Sequence, residues 1–490
     1  FETRNTHAAF LNLVALPASA YFLCMSLGKG IARYQIVMLG AVLFVLFLSI
    51  FLTASRGATL SLAISLSLLA ALTMRYVPRR AVFLLFGLLV LAYLVTKISH
   101  GELGARLPQL VQDSPRLIIC ESSWNLLQAM PWQGIGLGLF YLAYPSYRNP
   151  SDSSGGFFAH NDYLQIWIET GLPGLILLLA ILVAATWLFV RGVRKTNMSG
   201  DTHVEMTGLF CGLLAVAGHS VVDFNLYILS IMMTSGLVMA RFHELATREL
   251  KVSSWQLRPS RFVGKQAYPL IVVLLVLLPV LYFIALGMAN SYYDKALALA
   301  REGKLQEADK SLATAQHLTS SDDRMLIAHA DLYRHAIALL PPGPDDEKKS
   351  LYDDAVRFLD RAQQANSLRG LTFVIRGRLY QQNPALAGEN MHELAAESFQ
   401  RALALNPRLF QGRMDYASLL LQAGKKEEAL QSLDEGVKHD YFNGPELIPF
   451  YSLTAKLRRE AGRREEAGIL EDRVRELEKM TTAGYYLRGY

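Results

Sequence analysis

The chain has 490 residues, 52% of them hydrophobic and 18% charged, with a formal net charge of +6 and three cysteines. Apolar runs with short charged breaks fill the chain to about residue 290, and no later run is long enough to cross a bilayer, which excludes an ordinary soluble enzyme. The basic excess lies between apolar runs rather than in a stripe with interleaved aromatics, excluding a nucleic-acid surface; Cys24, Cys120 and Cys211 are too scattered for a disulfide framework or a metal site.

The chain opens on Phe1 without an initiator Met or a signal-peptide pattern, and so reads as a fragment whose upstream spans are missing. Membrane spans are expected at about 10–27, 34–54, 58–74, 81–96, 172–190, 206–222, 224–240 and 268–289. Three basic breaks orient them: Arg75, Arg79 and Arg80; Arg191, Arg194 and Lys195; and Arg241, Arg248, Lys251, Arg258, Arg261 and Lys265. All three fall on one side under this count, and the positive-inside rule makes that side cytoplasmic. The Ser55-Arg56-Gly57 turn, the loop 97–171 and everything past about residue 290 then face outward, to the periplasm in a double-membrane bacterium.

The loop 97–171 is long for a connection without a function. It carries Arg106, Arg116, Trp124, Pro131, the glycine-rich Gly134-Ile135-Gly136-Leu137-Gly138, Arg148, and the block from His160-Asn161-Asp162-Tyr163-Leu164 to Glu169-Thr170-Gly171-Leu172. The glycines let a backbone approach a ligand closely, but they do not form a nucleotide-binding fingerprint. Arg56 and Arg116 suit a pyrophosphate, because a guanidinium is a permanently charged planar fork; each can equally be a snorkelling anchor. Arg106 and Arg148 are weaker candidates for substrate binding. His160 is the natural general base, with Asp162 or Glu169 orienting its ring or pairing with an arginine. Asn161 can serve as a helix cap. Neither a metal nor a cofactor is expected.

Beyond residue 290 the chain reads as helical repeats. Ala395–Ala402 runs into Asn406-Pro407, followed by Tyr416-Ala417-Ser418-Leu419-Leu420 and Gly424-Lys425-Lys426-Glu427-Glu428-Ala429. Earlier copies begin at Tyr293-Asp294-Lys295-Ala296, with Gly303-Lys304 as the turn, and at Tyr352-Asp353-Asp354-Ala355; Pro341-Pro342-Gly343-Pro344 forms a loop between them. Small residues at crossings, Gly-Lys turns and the Asn-Pro break resemble tetratricopeptide repeats, which stack and leave a concave face for a protein partner.

The ordered set of Ser55-Arg56-Gly57, Arg116, Trp124, Pro131–Gly138 and the His160–Leu172 block resembles the O-antigen ligase and polymerase superfamily of bacterial envelope glycosyltransferases over residues 1 to about 245. That resemblance implies an integral inner-membrane enzyme of the GT-C type that moves a glycan from undecaprenyl pyrophosphate to a periplasmic acceptor. By the family pattern His160 is the functional loop histidine, and Arg56 and Arg116 engage the pyrophosphate. The family's amino-terminal spans have no counterpart here.

The expected architecture is all-α: an O-antigen-ligase-like polytopic helix bundle (1–245) with its catalytic loop at 97–171, a basic linker with one more span (246–290), and a periplasmic tetratricopeptide-like repeat domain (291–490). The expected function is ligase-like glycan transfer, with lipid A-core, a growing glycan or a protein Ser/Thr as acceptor. The rival of another class is a non-catalytic scaffold that recruits envelope glycan machinery through its repeats. A transporter, suggested by Asp223 near a span end, fits the long loop poorly.

Overall fold

The computed structural model describes residues 3–26, 32–99, 115–195, 198–250, 267–341, 346–439, 444–445 and 447–482. Arg106, Lys251, Arg258, Arg261, Lys265 and most of the Pro341–Pro344 loop lie outside them. All regular structure among the described residues is helical, and the chain divides into two compact units, Phe1–Gln256 and Leu257–Tyr490.

The first unit contains α1 (Arg4–Met25), α2 (Arg33–Leu52), α3 (Arg56–Thr73), α4 (Arg79–Ser99), α5 (Pro115–Ala129), the one-turn α6 (Phe140–Ala143), α7 (Asp162–Val193), α8 (Gly200–His219) and α9 (Leu229–Leu250). Among the described residues of the whole chain, six helices are long and apolar enough to cross a membrane: α1 to α4, α7, and the first helix of the second unit. This gives the protein a multi-pass membrane character. Two expected spans differ. The 206–222 run falls in α8 only as far as His219, and α8 packs against α1, α3 and α9. As a central helix it carries small and polar residues where lipid-facing helices carry leucine: Gly212 lies under Pro17, Gly208 under Ala20, and His203 and Thr207 are fully buried. The 224–240 run begins as a helix only at Leu229, because residues 220–228 form a turn that closes over the start of α7.

The bundle has two distinct ends. Gly57 at the start of α3, Asp162 at the start of α7 and Ser220 just past α8 meet at one end, where the Asp162 amide donates to the Ser220 carbonyl at 2.9 Å. At the other, the Tyr76 ring lies 4.3 Å from that of His203, Lys195 pairs with Glu249 at 3.5 Å and Arg241 with Glu205 at 2.9 Å. The basic breaks at Arg75, Lys195 and Arg241 thus gather opposite the end that holds His160.

The second unit opens on α10 (Ala267–Arg301) and continues through α11 (Leu305–Leu318), α12 (Asp323–Leu339), α13 (Asp346–Ala365), α14 (Gly370–Gln382), the single turn α15 (Pro384–Ala387), α16 (Met391–Leu405), α17 (Phe410–Gln422), α18 (Lys426–Val437), α19 (Leu447–Glu460) and α20 (Arg464–Thr482). Antiparallel hairpins repeat: α10 with α11, α12 with α13, α14 with α16, α17 with α18, α19 with α20. Three hairpin turns share one device. Gly303, Gly424 and Gly462 have φ of 78°, 75° and 82°, and the next amide donates back to the residue five before it, at 2.9 Å each time. That left-handed cap reverses the chain with its carbonyls satisfied, so the Gly-Lys and Gly-Arg pairs mark the turns. Gly377 under the Phe399 ring brings α14 and α16 together. Arg378 with Asp415 (2.6 Å) and Arg458 with Asp434 (2.7 Å) tie successive hairpins.

α10 runs unbroken from the membrane-type segment into the first hairpin. Between Leu270 and Phe283 its described side chains are exposed, as in a span without protein neighbours; further on, Ala289 and Ala296 are buried against Ala315 and Leu312.

Candidate functional site

α7 is two helices in one. Gly171 has φ 70° and ψ −174°, which breaks the helix between a polar first part (Asp162–Thr170) and the apolar run from Leu172. The glycine-rich turn docks into the break. Ile135 and Gly136 amides donate to the Ile168 and Glu169 carbonyls at 2.9 Å, and Leu172 donates to the Trp132 carbonyl at 3.3 Å. A Cβ on Gly134 or Gly171 would strike the facing backbone. Here these glycines allow close approach to α7 itself.

At the polar end of α7, three basic side chains from three parts of the chain converge on Asp223, which is fully buried. Arg116, in the first turn of α5, lies 3.6 Å from its Oδ2; His160 Nδ1 lies 3.6 Å from Oδ1; and His219, the last residue of α8, lies 3.8 Å from Oδ2 through Nε2. The turn that bears Arg56 packs beside this group: a Cβ on Gly57 would sit 2.7 Å from the His219 ring. Burial pushes the Asp223 carboxyl up, but His160, Arg116 and His219 outweigh it and hold the group below the usual carboxylate range. A fixed negative centre therefore faces two histidines and an arginine at neutral pH. Its ring neighbour Phe224 stacks on Phe158 at 4.0 Å and meets the His160 ring edge-on at 5.1 Å.

His160 itself is strained, with φ 51°; Ala54, two residues before Arg56, has φ 52°. They are the non-glycine residues with positive φ among the described residues, and such a conformation costs about 1–2 kcal/mol. The strain is held by neighbours. The Ala159 amide donates to Gln165 Oε1 at 2.9 Å, and Asn161 caps α7 by accepting from the Leu164 amide at 3.0 Å. Strained residues kept in place by over-determined surroundings cluster at functional sites.

The other sequence candidates are placed differently. Asp162 is fully buried and its Oδ2 accepts from the Leu226 amide at 3.0 Å, clamping the turn that presents Asp223. Glu169 accepts from the Gly138 amide (2.8 Å), the Phe140 amide (3.2 Å), the Tyr227 hydroxyl (2.8 Å) and Gln165 Nε2 (3.3 Å). Its carboxylate clasps the glycine turn to the rest of the unit. Arg148 donates to Asp152 at 2.6 Å and to the Ser154 carbonyl, while the Tyr144 hydroxyl donates to the same Asp152 at 3.0 Å. That set ties the 144–154 loop together, away from Asp223. Arg106 lies outside the described residues. Among the described residues no group of His, Cys, Asp and Glu side chains is arranged to hold a metal ion.

The clasp has a measurable weight. Glu169→Ala leaves four donors without their acceptor, those of Phe140 and Gln165 in buried bonds, and is expected to cost about 2–4 kcal/mol. Thermal unfolding of the detergent-solubilised protein should show it as a large fall in midpoint; a midpoint within a degree or so of wild type would mean that the turn is held by other means.

His219 is missing from the sequence-derived site, and Asp223 enters that reading only as a hint of transport. The signal was present: His219-Ser220-Val221-Val222-Asp223 places a histidine and a carboxylate at the mouth of an apolar run, as in the His160 block. What the sequence does not carry is the through-space meeting of Asp223 with Arg116, more than a hundred residues away.

Comparison with known proteins agrees in part. Residues 41–179 match the O-antigen ligase family, a stretch that includes Arg56, Arg116 and His160 and stops short of His219 and Asp223. No curated protein matches the chain. Among solved structures, that of the MamA protein is 17% identical over 41% of this chain and 96% of its own, with a TM-score of 0.27. YrrB, a TPR protein with an unusual peptide-binding site, is 20% identical over 38% of this chain and 85% of its own, with a TM-score of 0.25. Yeast Tom70 is 13% identical over 91% of this chain and 86% of its own, with a TM-score of 0.21.

Proposed function

We propose that this protein handles lipid-linked glycans at the outer face of a bacterial inner membrane, its first unit forming the glycan site and its repeats a platform for a protein partner. The observation that carries the reading is the convergence of Arg116, His160 and His219 on buried Asp223, beside the turn that bears Arg56. Within that frame the finer reading is transfer. With Nδ1 turned toward Asp223, the His160 ring offers its other nitrogen to an acceptor hydroxyl, and the carboxylate favours the tautomer this needs. The hydroxyl oxygen attacks the anomeric carbon while its proton passes to His160. The bond from that carbon to the pyrophosphate oxygen breaks, and undecaprenyl pyrophosphate leaves with the electron pair. Arg116 keeps donors of its five free of Asp223, and with Arg56 it neutralises the charge that grows on the leaving group.

A second reading, a non-catalytic scaffold that holds the lipid-linked glycan and recruits other machinery, is favoured by two observations. The Arg116, His160 and His219 side chains stand 3.6 to 3.8 Å from Asp223, beyond a hydrogen bond, and the carboxylate accepts instead from the Phe224 amide at 3.0 Å. The second unit, from Leu257 to Tyr490, is built of hairpins whose stacking leaves a face open to a partner.

One experiment separates these readings. The full-length protein in lipid nanodiscs is given undecaprenyl-pyrophosphate-linked glycan together with lipid A-core, free glycan or a Ser/Thr-bearing protein, and both retention of the donor and acceptor mass are measured. Retention with a mass shift on one acceptor establishes transfer and names the acceptor. Retention without any shift makes the protein the scaffold. If the donor is not retained, the glycan reading fails altogether.

A further inference from the structure

The segment that joins α5 to α6 ends in a bare apolar tip. Trp132 is 69% exposed and Leu137 74%, with Met130 beside them at 50%. Exposed apolar groups on a slack loop would mean little, but this tip is rigidly mounted. Besides the bonds of Ile135 and Gly136 to α7, the Trp167 indole donates to the Pro131 carbonyl at 2.9 Å, and Trp124 meets Trp167 edge-on at 6.1 Å. The mounting also fixes its depth. The Trp132 carbonyl is bonded to the amide of Leu172, the first residue past the helix break, where the apolar part of α7 begins. Ile176 and Leu177, one turn further along, are 56% and 64% exposed, as lipid-facing residues of a span are.

We propose that this tip is a membrane anchor: Trp132, Met130 and Leu137 insert into the boundary between headgroups and acyl chains of the leaflet at the His160 end. The occupant follows from continuity. A group hydrogen-bonded to the residue at which a span enters the bilayer lies at the interface, and tryptophan, with an apolar body and one polar N–H, is the side chain most at home there. The tip follows α5 directly, so the anchor holds one end of that helix at the membrane surface. Arg116, in the first turn of α5, lies about 20 Å away along the helix axis. The inference does not depend on the glycan reading, and its test involves no glycan.

The chain has five tryptophans. A protein retaining only Trp132, with Trp124, Trp167, Trp187 and Trp255 replaced by Phe, is placed in nanodiscs of ordinary phosphatidylcholine or of phosphatidylcholine brominated on its acyl chains. The anchor predicts blue-shifted emission, most of it lost in brominated lipid and little of it lost to acrylamide. Strong acrylamide quenching with no effect of bromine would place the tip in water and overturn the proposal. Quenching by neither would show that protein covers the tip, a second copy being the simplest cover, and would overturn it equally. Should the four-fold variant fail to fold, the single Trp132→Phe change in the otherwise native chain gives the same answer by difference. The lipid-quenchable emission must fall when Trp132 is removed, and an unchanged lipid-quenchable fraction refutes the anchor.

Discussion

On the proposed transfer function, His160→Ala is expected to abolish glycan transfer while leaving donor retention nearly unchanged. The two effects separate because the proposal assigns the pyrophosphate to Arg56 and Arg116 and the acceptor to His160. Arg56 and Arg116 stay in place when the imidazole is removed, since Arg116 is held by Asp223 and the Arg56-Gly57 turn packs on His219. What disappears is the proton acceptor, and general-base catalysis of this kind contributes about 10²–10⁴-fold. The substitution keeps the Cβ and with it the backbone strain at φ 51°; His160→Gly, which removes both the imidazole and the strain, serves as the control for folding. Asp223→Asn should mimic the rate loss while weakening donor retention, because it releases the arginine as well as the histidine. The measurement is acceptor mass in a single-turnover assay alongside donor retention in nanodiscs. Transfer at wild-type rate in His160→Ala would remove the histidine from the chemistry, and loss of retention alone would make it a binding group.

Gly171→Ala is expected to prevent assembly of the first unit. A backbone at φ 70° and ψ −174° is open only to glycine, and a side chain forced there costs of order 1–3 kcal/mol before any contact is counted. The contact is worse. The new methyl would be driven into the Trp132 carbonyl and the backbone of Gln133, prising the glycine turn off α7. The turn also carries the Gly138 and Phe140 amides that meet Glu169, so the clasp would open with it. The matched control is Gly87→Ala in α4, where a Cβ meets nothing within 4 Å and helix propensity favours alanine. Fluorescence-detected size exclusion of the two variants should give a monodisperse peak for Gly87→Ala and aggregate or little protein for Gly171→Ala. Equal behaviour would mean that the break in α7 is not what holds the loop.

Those two residues also show where a sequence can and cannot be read. Helices that face lipid announce themselves by composition, which is why α2, α4 and the apolar part of α7 lie within a few residues of their expected places. α8 is harder, because a helix surrounded by protein gains nothing from being apolar all round and carries histidine, threonine and glycine instead. The repeats are legible because three of the hairpins use the same glycine cap, and Gly303, Gly424 and Gly462 recur with a basic residue after them. In the site, His160 and Arg116 stand out because ionisable groups beside apolar runs are costly. Glu169 stands out for the same reason, yet its partners are backbone amides some thirty residues earlier, which no side-chain pattern records. Asp223 lies outside the loop that drew attention, and only folding brings it to His160.

The unbroken course of α10 has a consequence for whatever docks on the repeats. An α-helix turns about 100° and rises about 1.5 Å per residue, so a span that continues straight into the first hairpin sets both the height and the compass bearing of the solenoid. Within α10 itself no break lets the repeats swivel on their span. One residue inserted between Phe283 and Ala289 would swing the concave face about a quarter-turn around the span, whereas seven would bring it back to within about 20° and lift it about 10 Å. A partner that must meet the repeats and the bilayer together would sense phase rather than distance, failing at one added residue and tolerating seven.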